Sequence, residues 1–182
     1  MRKKLIIVDD FYEDPDSIRK MALGMEFVTD LQYYKGLRST SVFKPRWIKD
    51  CFQKLLGEQI TDFESHGFNG CFQITNAEDP QVYHTDSQKW AGMIYLTPEA
   101  PLESGTRLHK SKINGARSAN DSSITNAFSG GFYDSTKFDT VDSAGNIYNR
   151  LVLMDAKSIH SAGPYFGTDK DSGRLIHLFF FD

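Results

Sequence analysis

Apolar positions recur at helical spacing through the first sixty residues of the chain, and from residue 63 onward they fall into short runs separated by turn signals. Leu5-Ile6-Ile7-Val8 reads as an opening strand. Asp14-Pro15-Asp16 supplies a cap and a first-turn proline, which predicts a helix through about Leu23. Ile18, Met21, Ala22 and Met25 give it one apolar face for docking. The polar stretch 35–41 is expected to be irregular. A second helix is predicted from Pro45, with Trp47, Ile48, Cys51, Phe52, Leu55 and Leu56 on one side and Gly57 as its stop. Short β-rich segments follow at 67–75, 83–87, 89–96, 106–108, 147–154, 158–161 and 175–181. Helices first and many short strands afterwards predict a mostly β fold with flanking α-helices, packed as a sandwich or jelly roll.

The segment 103–131 breaks this rhythm, being crowded with Ser, Asn, Gly, Lys and Arg, and is expected to be a long excursion between strands. Arg107, His109, Lys110, Lys112 and Arg117 concentrate positive charge there, and a solvated surface loop is its commonest explanation. The 182 residues suit one domain, 1–182, with helical support over about 1–60 and a β core over about 63–182. A formal net charge of -3 offers no broad basic field, so nucleic acid is not an expected partner. Cys51 and Cys71 lack the spacing of a zinc knuckle or a disulfide framework and are expected to be reduced. Arg2-Lys3-Lys4 is followed by an apolar run too short for an export signal, and no stretch is long enough to span a bilayer. A cytoplasmic protein is therefore expected.

The chemistry concentrates later. In His84-Thr85-Asp86 the two-residue period of a strand sends His84 and Asp86 to the same face, where they can share one ligand sphere. A second imidazole from a distant strand would complete the two-histidine, one-carboxylate triad that holds non-haem iron(II). His160, after the apolar run Leu151-Val152-Leu153-Met154, is well placed for it. Arg174 opens the apolar strand Leu175-Ile176-His177-Leu178-Phe179-Phe180-Phe181. A fixed guanidinium there can pair bidentately with the far carboxylate of a dicarboxylate whose 2-oxo acid end chelates the metal.

This order, an HxD, a distal His and an Arg beyond it, resembles the iron(II)/2-oxoglutarate-dependent dioxygenase superfamily, especially its prolyl-4-hydroxylase-like branch, from about Gln73 to the C-terminus. The resemblance implies a cupin-like jelly roll, the double-stranded β-helix. It implies iron(II) on His84, Asp86 and His160, 2-oxoglutarate as cosubstrate and O2 as oxidant. Arg174 matches the residue that pairs with the cosubstrate's C5 carboxylate. Met93-Ile94-Tyr95-Leu96 and Ser104-Gly105-Thr106 resemble the elements after the HxD, which adds Tyr95 and Thr106 as cosubstrate contacts. The implied activity is hydroxylation of a C–H bond in a peptidyl residue or small metabolite, with release of succinate and CO2. The 103–131 segment would be a substrate lid, with Phe132 and Tyr133 near its exit as contacts. Ile176 stands where members often carry a small polar residue, so a different second partner for the carboxylate is implied. Asp86 separates the chain from the halogenating relatives.

Two other readings of the residues stay open: a non-catalytic cupin-like binding protein and a metal-dependent isomerase on the same barrel. Of the unused histidines, alternation turns His177 away from Arg174, His109 is expected to be solvent-exposed, and His66 has no assigned role. The sequence leaves the oligomeric state open.

Overall fold

The structure is a computed structural model that describes residues 3–29 and 35–182. Among the described residues, ten strands make two antiparallel sheets: β1 (Leu5–Val8), β2 (Phe27–Val28), β3 (Leu37–Val42), β4 (Cys71–Thr75), β5 (Trp90–Tyr95), β6 (Thr106–Ser111), β7 (Phe138–Ala144), β8 (Leu151–Asp155), β9 (His160–Ala162) and β10 (Arg174–Phe181). The larger sheet has the order β1-β8-β5-β10-β4-β3-β2 and the smaller one β7-β6-β9. A bridge between His84 and His160 adds the 84 segment to the free edge of the smaller sheet. Two facing antiparallel sheets with helices on one outer side are the jelly roll that the strand pattern predicts.

Both predicted helices form, for the reasons legible in their ends. In α1 (Pro15–Leu23) the Asp14 side chain accepts from the Ser17 amide at 3.0 Å, and Pro15 occupies the first turn, where its missing N–H costs nothing. In α2 (Arg46–Leu56) Ile48, Phe52 and Leu56 recur every four residues and are buried. Gly57 closes α2 at φ 71°, in the left-handed region that glycine adopts without strain, and its amide donates to Gln53 O at 2.8 Å.

The β period sorts side chains into two cores. On β10, Leu175, Phe179 and Phe181 face the helices, where Phe52 and Phe63 pack against Phe179 and Phe181 with ring centroids 5.1–6.0 Å apart. Ile176 and Leu178 face the other sheet, with Met93 and Tyr95 of β5 and Val152 and Met154 of β8. His177 points to the helical side, as alternation predicts. Gly70 O can only accept, so His177 Nε2 donates to it at 3.1 Å, and Nδ1 accepts from the Tyr12 hydroxyl at 2.5 Å. Burial holds this histidine neutral by pushing its pKa down to about 3.

Several local expectations are overturned. The stretch 35–41, read as irregular, holds all but the last residue of β3, a strand broken by a register shift between Arg38 and Val42. Its side chains are mostly exposed or half-buried, so the apolar alternation that marks a strand is missing. The segment 83–87 contributes one bridge at His84 instead of a strand. The 103–131 excursion is interrupted by β6, which runs on to Ser111 and carries Arg107 and Lys110, so the remaining loop is shorter than expected. β7 escaped the sequence pattern altogether, because only its end residues, Phe138 and Ala144, are buried. His109 lies buried on β6 between Tyr83 and Phe138, where Nε2 is 2.8 Å from Ser161 Oγ, and is not the exposed loop histidine expected. Among the described residues no helix is long and apolar enough to cross a membrane.

Candidate metal centre

His84, Asp86 and His160 meet at the mouth between the two sheets, with one donor atom from each lying within 4.8 Å of the others. Main-chain pairing sets this up: His84 N donates to His160 O at 3.0 Å, His160 N returns to His84 O at 2.8 Å, and Asp86 N reaches Ala156 O at 2.9 Å. The two imidazoles are thereby directly opposed across a ladder, with ring centroids 4.2 Å apart.

The hydrogen bonds also fix which ring nitrogens face inward. His84 Nδ1 lies 3.1 Å from Val82 O and His160 Nδ1 lies 2.8 Å from Ser158 O. A carbonyl only accepts, so both Nδ1 atoms carry the proton and both Nε2 atoms turn toward the carboxylate. His84 Nε2 is 3.5 Å from Asp86 Oδ1 and His160 Nε2 is 3.4 Å from Oδ2. Asp86 Oδ2 is buried and has no hydrogen-bond partner, an arrangement that costs free energy unless a cation or proton sits beside it.

The electrostatics agree with that geometry. Burial works against the Asp86 carboxylate, but the charges of His160 and His84 outweigh it and hold its pKa below the ordinary value. Burial likewise opposes charge on His160, and Asp86 overrides it and raises the His160 pKa. For His84 burial and the neighbouring His160 win, pushing the pKa down to about 4. Asp86 and His160 thus each favour the charged form of the other. Two inward imidazole nitrogens and a carboxylate with a buried, unpartnered oxygen suit a divalent first-row metal, so the residues fit such an ion.

A cavity of about 630 Å³ opens beside the triad and is walled by the inner face of the large sheet. Arg174, 3% exposed, lines it from the head of β10. Its Nε donates to Ser104 O at 2.8 Å, and its guanidinium sits 5.3 Å from the Tyr95 ring centroid and 5.9 Å from that of Tyr165. Among the described residues no carboxylate forms an ion pair with Arg174, although a buried charge ordinarily has one. Thr106 also lines the cavity, while Tyr95 stands behind it, its hydroxyl 2.8 Å from Thr106 Oγ1. Gly105 is required at the entry to β6, because a Cβ there would lie 1.9 Å from Ala144 O.

The structure therefore brings the predicted triad, Arg174 and Thr106 to one cavity and sets Tyr95 against Arg174. The sequence reading missed Arg38, His66, Phe68, Gln73, Tyr165 and Phe180 as wall residues of the same cavity. Alternation along β10 from Arg174 and Ile176 is the one signal that could have found Phe180. Of the lid contacts expected, Tyr133 lines the cavity, whereas Phe132 packs at 5.2 Å against Phe128.

No protein-family model matches the chain, and a search of curated proteins finds no match to its sequence. Solved structures do match. A prolyl hydroxylase from Trichoplax adhaerens, in complex with a hypoxia inducible factor oxygen degradation domain peptide fragment, superposes with a TM-score of 0.57 at 14% identity, covering 98% of this chain and 84% of its own. A prolyl-4-hydroxylase from Pseudomonas putida gives 0.53 at 14% identity, covering 98% and 91%. HygX from Streptomyces hygroscopicus, solved with nickel and 2-oxoglutarate bound, gives 0.57 at 8% identity, covering 97% and 82%. At such identities the likeness is one of fold, and over nearly its whole length this chain has the jelly-roll fold of these two prolyl hydroxylases and of HygX.

Proposed function

We infer that this protein is an iron(II)- and 2-oxoglutarate-dependent oxygenase that hydroxylates a C–H bond of a small molecule or a peptidyl residue. One observation carries the reading: the three inward donor atoms of His84, Asp86 and His160 share a cavity with Arg174, a buried cation without a carboxylate partner among the described residues. The fold neighbours agree in kind, since HygX was solved with nickel and 2-oxoglutarate and two others are prolyl hydroxylases.

Bound by the triad, iron(II) together with 2-oxoglutarate and O2 supplies the oxidising power, with succinate and CO2 as coproducts. The chain's own residues do the rest. His84 and His160 offer neutral Nε2 donors whose rings are locked by their carbonyl partners, so little reorganisation accompanies binding. Asp86 supplies a negative charge at the ligand sphere. Arg174 receives the distal carboxylate of the cosubstrate; Ser104 O and the Tyr95 ring keep its guanidinium from swinging away. Thr106 lines the same cavity, its hydroxyl held by Tyr95 and Met93. Met93, Ile176 and Leu178 give the cavity an apolar floor that limits water near the reacting centre.

Anaerobic addition of iron(II) and then 2-oxoglutarate should produce the visible charge-transfer band of a chelated 2-oxo acid, and admitting oxygen should bleach it as succinate forms. An unchanged spectrum would return the chain to the binding-protein reading. A band without any oxygen-dependent succinate would leave no grounds for an oxygenase.

A further inference from the structure

Arg174 gives its Nε to Ser104 O, which leaves the two terminal nitrogens of its fork for a carboxylate. A carboxylate held this way has acceptor capacity to spare, because it offers about four lone-pair sites and the fork uses two. The nearby hydroxyls are committed elsewhere. Thr106 Oγ1 donates to Met93 Sδ at 2.8 Å and therefore accepts from the Tyr95 hydroxyl at 2.8 Å, so neither has a proton left to give. Ile176, the next residue of β10 on the cavity face, is apolar.

Gln73 stands directly opposite Ile176. The two are Cα partners across β4 and β10 and share the cavity face; Arg174 is the diagonal neighbour of Gln73, roughly 7–8 Å away and within reach of long side chains. The Gln73 amide is oriented from its other flank. Arg38, its partner on β3, donates from Nε to Gln73 Oε1 at 2.8 Å. A guanidinium only donates, so the amide turns its oxygen to Arg38 and its nitrogen away. The Arg38 charge lies 4.8 Å from the Phe68 ring centroid and 5.8 Å from that of Phe180, near the opposite end of β10 from Arg174. The Gln73 NH2 group is thereby turned to the Arg174 end of the cavity. Among the described residues it donates to no acceptor.

We propose that Gln73 is a second donor to the distal carboxylate of the cosubstrate and that Arg38 is its positioning residue, an inference that rests on the function proposed above. A neutral amide adds a hydrogen bond to a charged group without adding a charge, and the carboxylate already has its counter-charge in Arg174. Arg38 acts here through its Nε alone, as the group that fixes which end of the amide faces the cavity.

The test titrates the anaerobic iron(II) protein at the visible band with 2-oxoglutarate and with 2-oxobutyrate, which has the same chelating end and no distal carboxylate. Gln73→Leu should weaken 2-oxoglutarate on the order of 10- to 100-fold, the loss of a hydrogen bond to a charged group, and leave 2-oxobutyrate unchanged. Gln73→Glu, which places a like charge there, should weaken 2-oxoglutarate further. Arg38→Met should weaken it alone but add nothing to Gln73→Leu, the coupling expected of a residue that works through the amide. A wild-type gain in melting temperature with nickel(II) establishes in each variant that fold and triad are intact. Wild-type affinity in Gln73→Leu, equal losses for the two acids, or additive effects of the Arg38 and Gln73 substitutions would each overturn the assignment. The two readings are told apart by the wild type. No band with either acid removes the oxygenase reading and this inference with it, whereas a band whose 2-oxoglutarate dependence ignores Gln73 removes this inference alone.

Discussion

Asp86→Ala is expected to bind nickel(II) about 100-fold or more weakly than the wild type, the consequence of removing the charged member of a largely buried set and leaving its partners uncompensated. The measurement is the melting temperature with and without metal, because a ligand that binds only the native state stabilises it by an amount set by its affinity. At a hundred times the dissociation constant the wild type should gain about 2.7 kcal/mol, or roughly 5–10 °C for a chain of this size. The variant should gain almost nothing at the same nickel concentration. Its fold should survive, since the main-chain bond from residue 86 to Ala156 O does not involve the side chain. An unshifted wild-type melt, or equal shifts in the two proteins, would remove Asp86 from the metal site.

The second large effect is expected at Arg174. Arg174→Met should weaken 2-oxoglutarate binding by at least about 30-fold, the lower end of what truncating one partner of a buried charge pair costs. Nickel binding should be unaffected, because Arg174 is not one of the three residues that offer ligand atoms. Arg174→Lys should recover part of the loss, as a point charge without the bidentate fork does. Titration of the visible band with 2-oxoglutarate separates these cases. A methionine variant that saturates at the wild-type concentration would assign Arg174 a purely structural role between Ser104 O and the two tyrosine rings.

The centre of this fold was legible because its signals are local. Asp14-Pro15 and Gly57 mark helix ends by their own backbone chemistry, and Ile48, Phe52 and Leu56 repeat at the helical period. The strands at the middle of the large sheet are buried on both faces, so they read as apolar runs such as Leu151-Val152-Leu153-Met154. Edge strands carry no such mark. β7 and β3 are mostly solvated, and their pairing is decided by neighbours far along the chain.

The triad divides in the same way. His84 and Asp86 are two residues apart, and their common side follows from strand geometry alone; that His160 lies opposite them is a matter of which strands pair, for which the resemblance stood in. Arg38 illustrates the limit most clearly. It sits in a polar run with no periodic signal and becomes a cavity residue only because β3 docks on β4, bringing it beside Gln73 and over Phe68. His109 erred in the opposite direction: its basic neighbours suggested a loop, while β6 carries it between Tyr83 and Phe138.

The most direct test of the whole account is a crystal structure of the protein grown anaerobically with nickel(II) and 2-oxoglutarate. The account predicts one metal ion held by His84 Nε2, His160 Nε2 and an Asp86 oxygen, chelated by the 2-oxo acid end of the cosubstrate, with the distal carboxylate on Arg174. A metal bound elsewhere, or 2-oxoglutarate with its distal carboxylate away from Arg174, would contradict it.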